Sequence, residues 1–447
     1  MAKKETFLTV IAREHNSGEA DSDRYGGAAG ANGSGLPTTS LGNFMFATGI
    51  ECSYPTIGQG RIRRDLLDEC GHYVRWRKDL QLVHALGLKV LRYGLPYHRM
   101  HLGIGQYDWS FADEVMQEIK RLHITPIVDL LHFGLPDWLG NFQNPEFPVR
   151  FAAYAGAVAR RYPWVRFYTP VNEIYVCAKF SGKEGKWNEQ LTSDNGFVTA
   201  LKHLVAANTL ACHAIARQRP DAVIVQSESA EYVHEVKAEK SADIALNNQL
   251  RFLALDLLYA HAPDANVMCY LLDNGMTREE YAWNMRGEPP GYQVMGNDYY
   301  GRNETMLLPD GSSASCEDVL GWYQITLQYY HRYKKPVMHT ETNNFNATTA
   351  PNWLWKQWVN VLRMRADGVP VLGFTWYSLI DQIDWDVALA QKHGTVNACG
   401  LYDMNRNPRP VAAAYRQLLE EFGQIAILPH GDIFQMTSRQ SVLKTAV

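Results

Sequence analysis

Cysteine is sparse and shows no paired pattern. The seven residues, at 52, 70, 177, 212, 269, 316 and 399, are scattered, odd in number and include no Cys-x-x-Cys. That usage disfavours a disulfide framework and a thiolate metal ribbon, and reduced thiols in a cytoplasmic protein are expected. Basic residues are not in excess: 43 Lys and Arg stand against 47 Asp and Glu, a formal net charge of -4. A nucleic-acid partner, which needs a basic patch, is not expected. No apolar run reaches the roughly 20 residues of a membrane span. The opening run is short and is broken by Arg13-Glu14-His15, so neither a membrane partner nor a secretory signal is expected. No Gly-x-Gly-x-x-Gly follows the first strand, which argues against a bound dinucleotide. His98 and His101 have a spacing seen in metal sites but lack a third ligand, so no metal and no organic cofactor is expected.

What the chain has is length, apolar residues and rhythm. Its 447 residues are 46% hydrophobic and 20% charged, enough to build a large core. Residues 1–43 read as a flexible N-terminal arm, rich in Gly, Ala, Ser and Asp beyond position 14, and residues 426–447 as a C-terminal tail. Between them, over 44–425, short apolar strands alternate with amphipathic helices. Strands are expected to begin at Phe44, Leu88, Thr125, Arg166, Asp221, Tyr292, Pro336 and Val371. The helix over 73–86 is representative: Tyr73, Trp76, Leu80 and Val83 recur near helical spacing, and Gly87 stops it. Regular alternation implies right-handed βαβ units and a parallel sheet. Eight such units fit a single closed (β/α)8 barrel of the TIM type.

Two of the strands end in glutamate. Thr169-Pro-Val-Asn-Glu173 follows the apolar-aromatic run 164–168, and Pro170, which cannot donate to a ladder, suits a strand end. Pro336-Val-Met-His-Thr-Glu341 runs into the polar loop 342–346. The C-terminal face of a parallel barrel is where catalytic side chains are placed. Two glutamates there suit glycoside hydrolysis, one giving and taking a proton and the other attacking the sugar carbon, about 5–5.5 Å apart in a retaining enzyme. Glu341 would have to be ionised, and Arg92 and Tyr299 are the residue types to support it. Glu173 would start protonated, its pKa raised by the neighbouring carboxylate and lowered again once that carboxylate is esterified. Asn172 could hold the hydroxyl beside the reacting carbon.

In the same order along the chain, further motifs carry a resemblance. Leu91-Arg92-Tyr93-Gly94, Val128-Asp-Leu-Leu-His132-Phe-Gly-Leu-Pro136, Val171-Asn172-Glu173, Gly296-Asn-Asp-Tyr299-Tyr300, His339-Thr-Glu341-Thr-Asn343 and Tyr377-Ser-Leu-Ile-Asp-Gln-Ile-Asp384-Trp385 each fall at the end of the matching strand. From about Phe44 to Phe422 the chain resembles the family 1 glycoside hydrolases, the β-glucosidase-like barrels with catalytic glutamates on strands four and seven. The resemblance implies Glu173 as acid/base and Glu341 as nucleophile. It also implies Arg92 in support of Glu341, and His132, Asn172, Asp384 and Trp385 as sugar-binding residues.

The chain departs from the family pattern in the sugar pocket. Asp384 stands for a Glu, Asp298 for an Asn, and Tyr377 for a Trp unless Trp376 takes that place through a one-residue shift. Glu51 is the substitute for a sugar-binding Gln near the first strand. The expected activity is that of a retaining β-glycosidase acting on a terminal, non-reducing β-glucoside or β-galactoside. The expected partner is therefore a small glycoside or oligosaccharide. A 6-phospho-β-glycosidase, with Lys392 on the phosphate, and a transglycosidase use the same pair. A catalytically silent glycan-binding barrel would have lost Glu173, Glu341 or Arg92, and all three are present.

Overall fold

The computed structural model of the protein describes residues 5–16, 44–235, 242–308, 312–316 and 318–427. Eight strands lie at the predicted places: β1 Met45–Ile50, β2 Val90–Gly94, β3 Thr125–Asp129, β4 Phe167–Thr169, β5 Val223–Ser229, β6 Tyr292–Asp298, β7 Val337–Glu341 and β8 Val371–Trp376. Each pairs in parallel with its sequence neighbours, and β8 pairs back onto β1, so the sheet closes into a barrel.

Alternation along these strands decides what reaches the site. Met45, Ala47, Val90, Ile127, Phe167, Val223, Val225, Val294, Met338 and Leu372 form one apolar cluster, the packed barrel interior. Phe46, Leu91, Val128, Tyr168, Ile224, Met295 and Val337 belong to the larger core beneath the helices. Both faces are apolar, as expected of a parallel sheet covered on both sides. One pleat further up, the inward positions turn polar: Ala47 is followed by Gly49 and Glu51, Val90 by Arg92, Ile127 by Asp129, and Val294 by Gly296 and Asp298. The barrel floor is greasy and its C-terminal rim is ionisable.

The outer helices include α1 Phe7–Asn16, α2 His72–Leu86, α3 Ser110–Arg121, α4 Phe147–Arg161, α5 Ile174–Gly182, α6 Asp194–Gln218, α7 Gly321–Tyr333, α8 Ala350–Ala366 and α9 Pro410–Phe422. Local signals set their ends. Gly87 terminates α2 at φ 91, donating to Val83 and His84 carbonyls. Ser193 caps α6 by accepting from the Gly196 N–H. Among the described residues, four short helices occupy the β5–β6 connection between residues 242 and 284.

The expectation of a flexible arm over 1–43 needs correction for its first part. Residues 7–16 are helical, and Phe7, Val10 and Ile11 are buried against Val149 and Ala152 of α4 and Ala206, Leu210 and Ala214 of α6. Their i, i+3, i+4 spacing makes one apolar stripe, and the interrupting Arg13 and Glu14 lie off it, pairing with Glu146 and Arg150. The Gly- and Ala-rich stretch 17–43 and the last 20 positions of the expected tail, 428–447, lie outside the described residues.

Candidate active site

Strand β4 is only three residues long, and the segment after it is pinned to both neighbouring strands. The Thr169 hydroxyl donates to the Val225 carbonyl at 2.8 Å. Past Pro170, the Asn172 N–H donates to the Leu131 carbonyl (3.0 Å) on the β3 side, and the Glu173 N–H to the Ser227 carbonyl (2.9 Å) on the β5 side. Glu173 turns the chain at φ 43, ψ 61 into α5. The Glu228 carboxylate accepts from the Ile174 and Tyr175 N–H groups, at 2.8 and 3.3 Å, and so caps that helix. Glu173 is thus held at the rim by main-chain bonds on two sides, with its side chain buried.

Glu341, at the tip of β7, has both oxygens engaged. Arg92 Nη1 donates to Oε1 at 2.6 Å, and the Tyr300 hydroxyl donates to Oε2 at 2.6 Å. The expected hydroxyl, Tyr299, is not the one. Its ring stacks on Trp353 at 6.1 Å, and its hydroxyl donates to Glu304 at 2.7 Å. The reason is parity: Val294, Gly296 and Asp298 face inward on β6, so Tyr299 leaves on the outer side and Tyr300 on the inner. Counting by two from Val294 singles out Tyr300 in the sequence.

Arg92 ties the rim together. Its Nη2 donates to Asn172 Oδ1 (2.9 Å) and Asp129 Oδ2 (3.3 Å), and Nη1 also reaches the Thr340 carbonyl at 3.1 Å. Asp129, which is not among the residues expected from the motifs, bridges Arg92 to His132, accepting from His132 Nδ1 at 2.9 Å. It too is legible by parity, two residues beyond inward-facing Ile127. Because Asn172 Oδ1 already accepts from Arg92, the Asn172 amide nitrogen must be what faces His132 Nε2, at 3.0 Å. An amide donor there requires Nε2 to be an acceptor, so the geometry is that of a neutral imidazole with its proton on Nδ1. Burial favours that neutral form, whereas Asp129 and Glu51 pull the His132 pKa up overall. The bonded geometry decides for the neutral tautomer, since a second ring proton would face a second donor. Glu51 sits beyond, 3.9 Å from Nε2, with one oxygen accepting from the Ser53 hydroxyl and burial pushing its pKa up to about 7.

The loop after β8 sorts the remaining expectations. Tyr377 faces inward: its ring lies 5.2 Å from the Arg92 guanidinium and stacks between His132 (6.3 Å) and Trp385 (6.2 Å). It packs so tightly over Gly49 that a Cβ there would fall 1.9 Å from the ring. Trp376 is not in the site. It faces outward, and its indole N–H donates to the Cys399 carbonyl at 3.0 Å. Trp385 completes an aromatic wall, edge-on to Tyr300 at 5.9 Å. Asp384 is also corrected: it is neither a sugar ligand nor a solvated loop residue. Its buried carboxylate accepts from the His393, Gly394 and Thr395 N–H groups (2.9, 3.0 and 2.7 Å) and from Arg64 (3.1 Å). The loop is folded around it. His98 and His101 go separate ways, the first to Asp65 and the second into a stack with Tyr97 and Tyr107.

This geometry places two rim glutamates on strands four and seven, one of them held by a strand-two arginine and a tyrosine. Known proteins resemble the chain in sequence and in fold. The sequence model of glycosyl hydrolase family 1 matches residues 59–263. Beta-glucosidase A of Thermotoga maritima is 21% identical over 364 residues, covering 73% of this chain and 81% of its own. Aryl-phospho-beta-D-glucosidase BglH of Bacillus subtilis is 24% identical over 372 residues, covering 72% and 78%. A solved structure of the Thermotoga maritima β-glucosidase with glucoimidazole superimposes with a TM-score of 0.71 at 17% identity, over 85% of this chain and 98% of that one.

The chain is a glycoside hydrolase that resembles the β-glucosidases of glycosyl hydrolase family 1.

In this hydrolase the rim carries more acid than base, and burial decides where the protons sit. Burial raises the Glu173 pKa well above the carboxylate range, and the charges of Asp298, Glu341 and Glu228 add to it. Asp298, between Ser227 and Glu341, is raised by burial and by Glu341 in the same way. Arg92 loses by burial but gains more from Glu341 and Asp129, and stays charged. The site therefore offers two carboxyls that burial keeps protonated, Glu173 and Asp298, beside Glu341, which is flanked by a cation and a hydroxyl. Divergent protonation of paired carboxyls is how an acid and a nucleophile are told apart.

Proposed function

We propose that the hydrolase cleaves a terminal, non-reducing β-linked glucoside or galactoside with retention, by double displacement. Glu341 attacks the anomeric carbon while Glu173 gives its proton to the departing oxygen. Esterification then removes the Glu341 charge, the Glu173 pKa falls, and Glu173 takes a proton from the water that releases the sugar. Asn172, with its oxygen on Arg92, presents an amide N–H to the hydroxyl next to the reacting carbon. Tyr377 and Trp385 supply the aromatic floor and wall. The observation that carries this reading is the pair of 2.6 Å bonds from Arg92 and Tyr300 to Glu341, at the same rim as buried Glu173, whose pKa burial raises. The relatives named for β-glucosidase activity support the substrate class. Seven cysteines without a disulfide are consistent with the proposed cytoplasmic setting.

The test is chemical rescue. Glu341→Ala should abolish hydrolysis of aryl β-glucosides, and azide should restore product as a glycosyl azide of inverted configuration. Near-normal turnover by Glu341→Ala defeats the assignment. A second reading, action on a 6-phosphorylated sugar, is favoured by one finding. Asp384, whose charge would oppose a phosphate, is already bonded on both oxygens, while exposed Lys392 lies 3.8 Å from Glu69. Relatives from Bacillus subtilis and Escherichia coli carry phospho-glucosidase names. Comparing aryl β-glucosides with and without 6-phosphate separates the two.

A further inference from the structure

Arg302 stands at the edge of the site without a catalytic assignment. It lies in the turn Gly301–Asn303, two residues beyond Tyr300, the tyrosine on Glu341. Its Nη1 donates to the Trp385 carbonyl at 2.7 Å. Its guanidinium carbon lies 4.6 Å from the Phe345 ring centroid and 5.9 Å from that of Tyr300. One carbonyl bond and two rings fix the plane of the group. Fixing an arginine fork in this way lowers the entropy lost when it binds.

Its surroundings leave it open to a ligand. Among the described residues no carboxylate forms an ion pair with it, whereas Arg64 and Arg92, nearby, are each paired twice. Arg302 is exposed to water, yet the protein around it is dense enough that desolvation lowers its pKa. Four of its five N–H donors remain after the carbonyl bond. Glu173, the proton donor to the leaving group, is among the charges that act on it.

We propose that Arg302 binds an oxyanion, a carboxylate or phosphate, carried by the aglycone, and so makes this hydrolase selective for β-glycosides with an anionic leaving group. The proposal rests on the β-glycosidase reading above. Planar, bidentate recognition of a carboxylate or phosphate is what a preset guanidinium does best. The turn is held on the acid's side of the rim: Asn303 Nδ2 donates to Ser229 Oγ at 2.6 Å at the tip of β5, the strand to which the Glu173 N–H is bonded through Ser227, and Glu173 must reach the bond to the aglycone.

The test uses matched substrates on the full-length enzyme: 4-carboxyphenyl β-glucoside, its neutral isostere 4-carbamoylphenyl β-glucoside, 4-phosphophenyl β-glucoside, and a 6-phosphoglucoside with a neutral aglycone. The readout is a ratio within each enzyme, so a general loss of activity cancels. Wild type should favour the carboxylated over the carbamoyl aglycone at least tenfold in kcat/KM, mostly through KM. Arg302→Met should bring that ratio near one, and Arg302→Lys should retain part of it. The phosphophenyl substrate distinguishes a phosphate-bearing from a carboxylate-bearing aglycone. A ratio near one in wild type, or a ratio unchanged in a folded Arg302→Met, overturns the proposal. So does a preference that appears only with the 6-phosphate. If no glucoside is turned over at all, the glycosidase reading itself fails and this one with it. Turnover of the neutral substrates without any anion preference leaves that reading standing and removes only this one.

Discussion

The Tyr300 hydroxyl donates to Glu341 at 2.6 Å, and the Tyr299 hydroxyl donates to Glu304 at 2.7 Å. Two adjacent substitutions of the same kind should therefore have different consequences. Tyr300→Phe removes a hydrogen bond to a charged group, worth about 1.5–3 kcal/mol. If that bond steers the nucleophile, kcat/KM should fall roughly ten- to a hundredfold. Tyr299→Phe should leave kcat/KM nearly unchanged and lower the unfolding free energy by about 1–3 kcal/mol. Steady-state kinetics and urea unfolding on both variants check the pair, and the reverse pattern would return the role to Tyr299. Glu51 gives a second test at this scale. Its pKa is about 7 in the folded protein against an ordinary 4.5. The folded state thus holds the proton more tightly, so stability is lost as pH rises from 4.5 to 7 and is flat above. The loss is at most about 3 kcal/mol. Glu51→Gln should remove that part of the pH dependence. Between about pH 5 and 8, wild type should lose about 2–3 kcal/mol more than the variant in denaturant unfolding. Equal losses would mean that Glu51 is ionised in the fold.

At the scale of elements, the eight strands are legible because inward and outward positions are both apolar and are separated by helical periodicity. The two glutamates are legible because each ends such a strand. Arg92, Asn172, His132 and Tyr377 are placed by position on a strand or just past it. Sequence and structure part where position on a strand no longer decides. Motif order points to Tyr299, and only parity points to Tyr300. Trp376 and Tyr377 cannot be ordered from sequence because a register shift occurs where β7 meets β8. Asp384 is hidden because its partners are main-chain N–H groups that loop closure brings round from 393–395, and no side-chain pattern announces them. Its role makes a prediction opposite to a sugar ligand's. Asp384→Ala leaves three N–H groups without their acceptor and removes one partner of buried Arg64. A broken buried pair of this kind costs about 3–5 kcal/mol. Thermal unfolding should show the loss. Activity on plain and 6-phosphorylated glucosides should fall by the same factor, because Trp385 moves with the loop. A selective loss on one substrate, with normal stability, would put Asp384 back among the sugar ligands.

At the scale of the molecule, strand pairing closes the barrel, and α1 adds a segment from the start of the chain to the outer helices. Phe7 is wholly buried, with its ring 5.4 Å from Trp283 and 6.1 Å from His203, and Val10 and Ile11 continue the contact onto α4 and α6. Arg13 and Glu14 clamp the helix to Glu146 and Arg150. All of these contacts lie on the outer side of the helical ring, whereas the two rim glutamates proposed as the catalytic pair stand at the strand ends inside it. Stability and chemistry should therefore separate. Phe7→Ala opens a cavity in a packed cluster and should lower the unfolding free energy by about 3 kcal/mol. It should leave kcat/KM unchanged, since among the described residues the α1 side chains pack on α4, α6 and Trp283. The alternative is that α1 docks without belonging to the cooperative unit. The variant would then unfold at the wild-type midpoint and only become faster to proteolyse ahead of Phe44. Denaturant unfolding followed by tryptophan fluorescence, together with limited proteolysis, decides between the two, because a shared midpoint shift is possible only if the helix and the barrel melt as one.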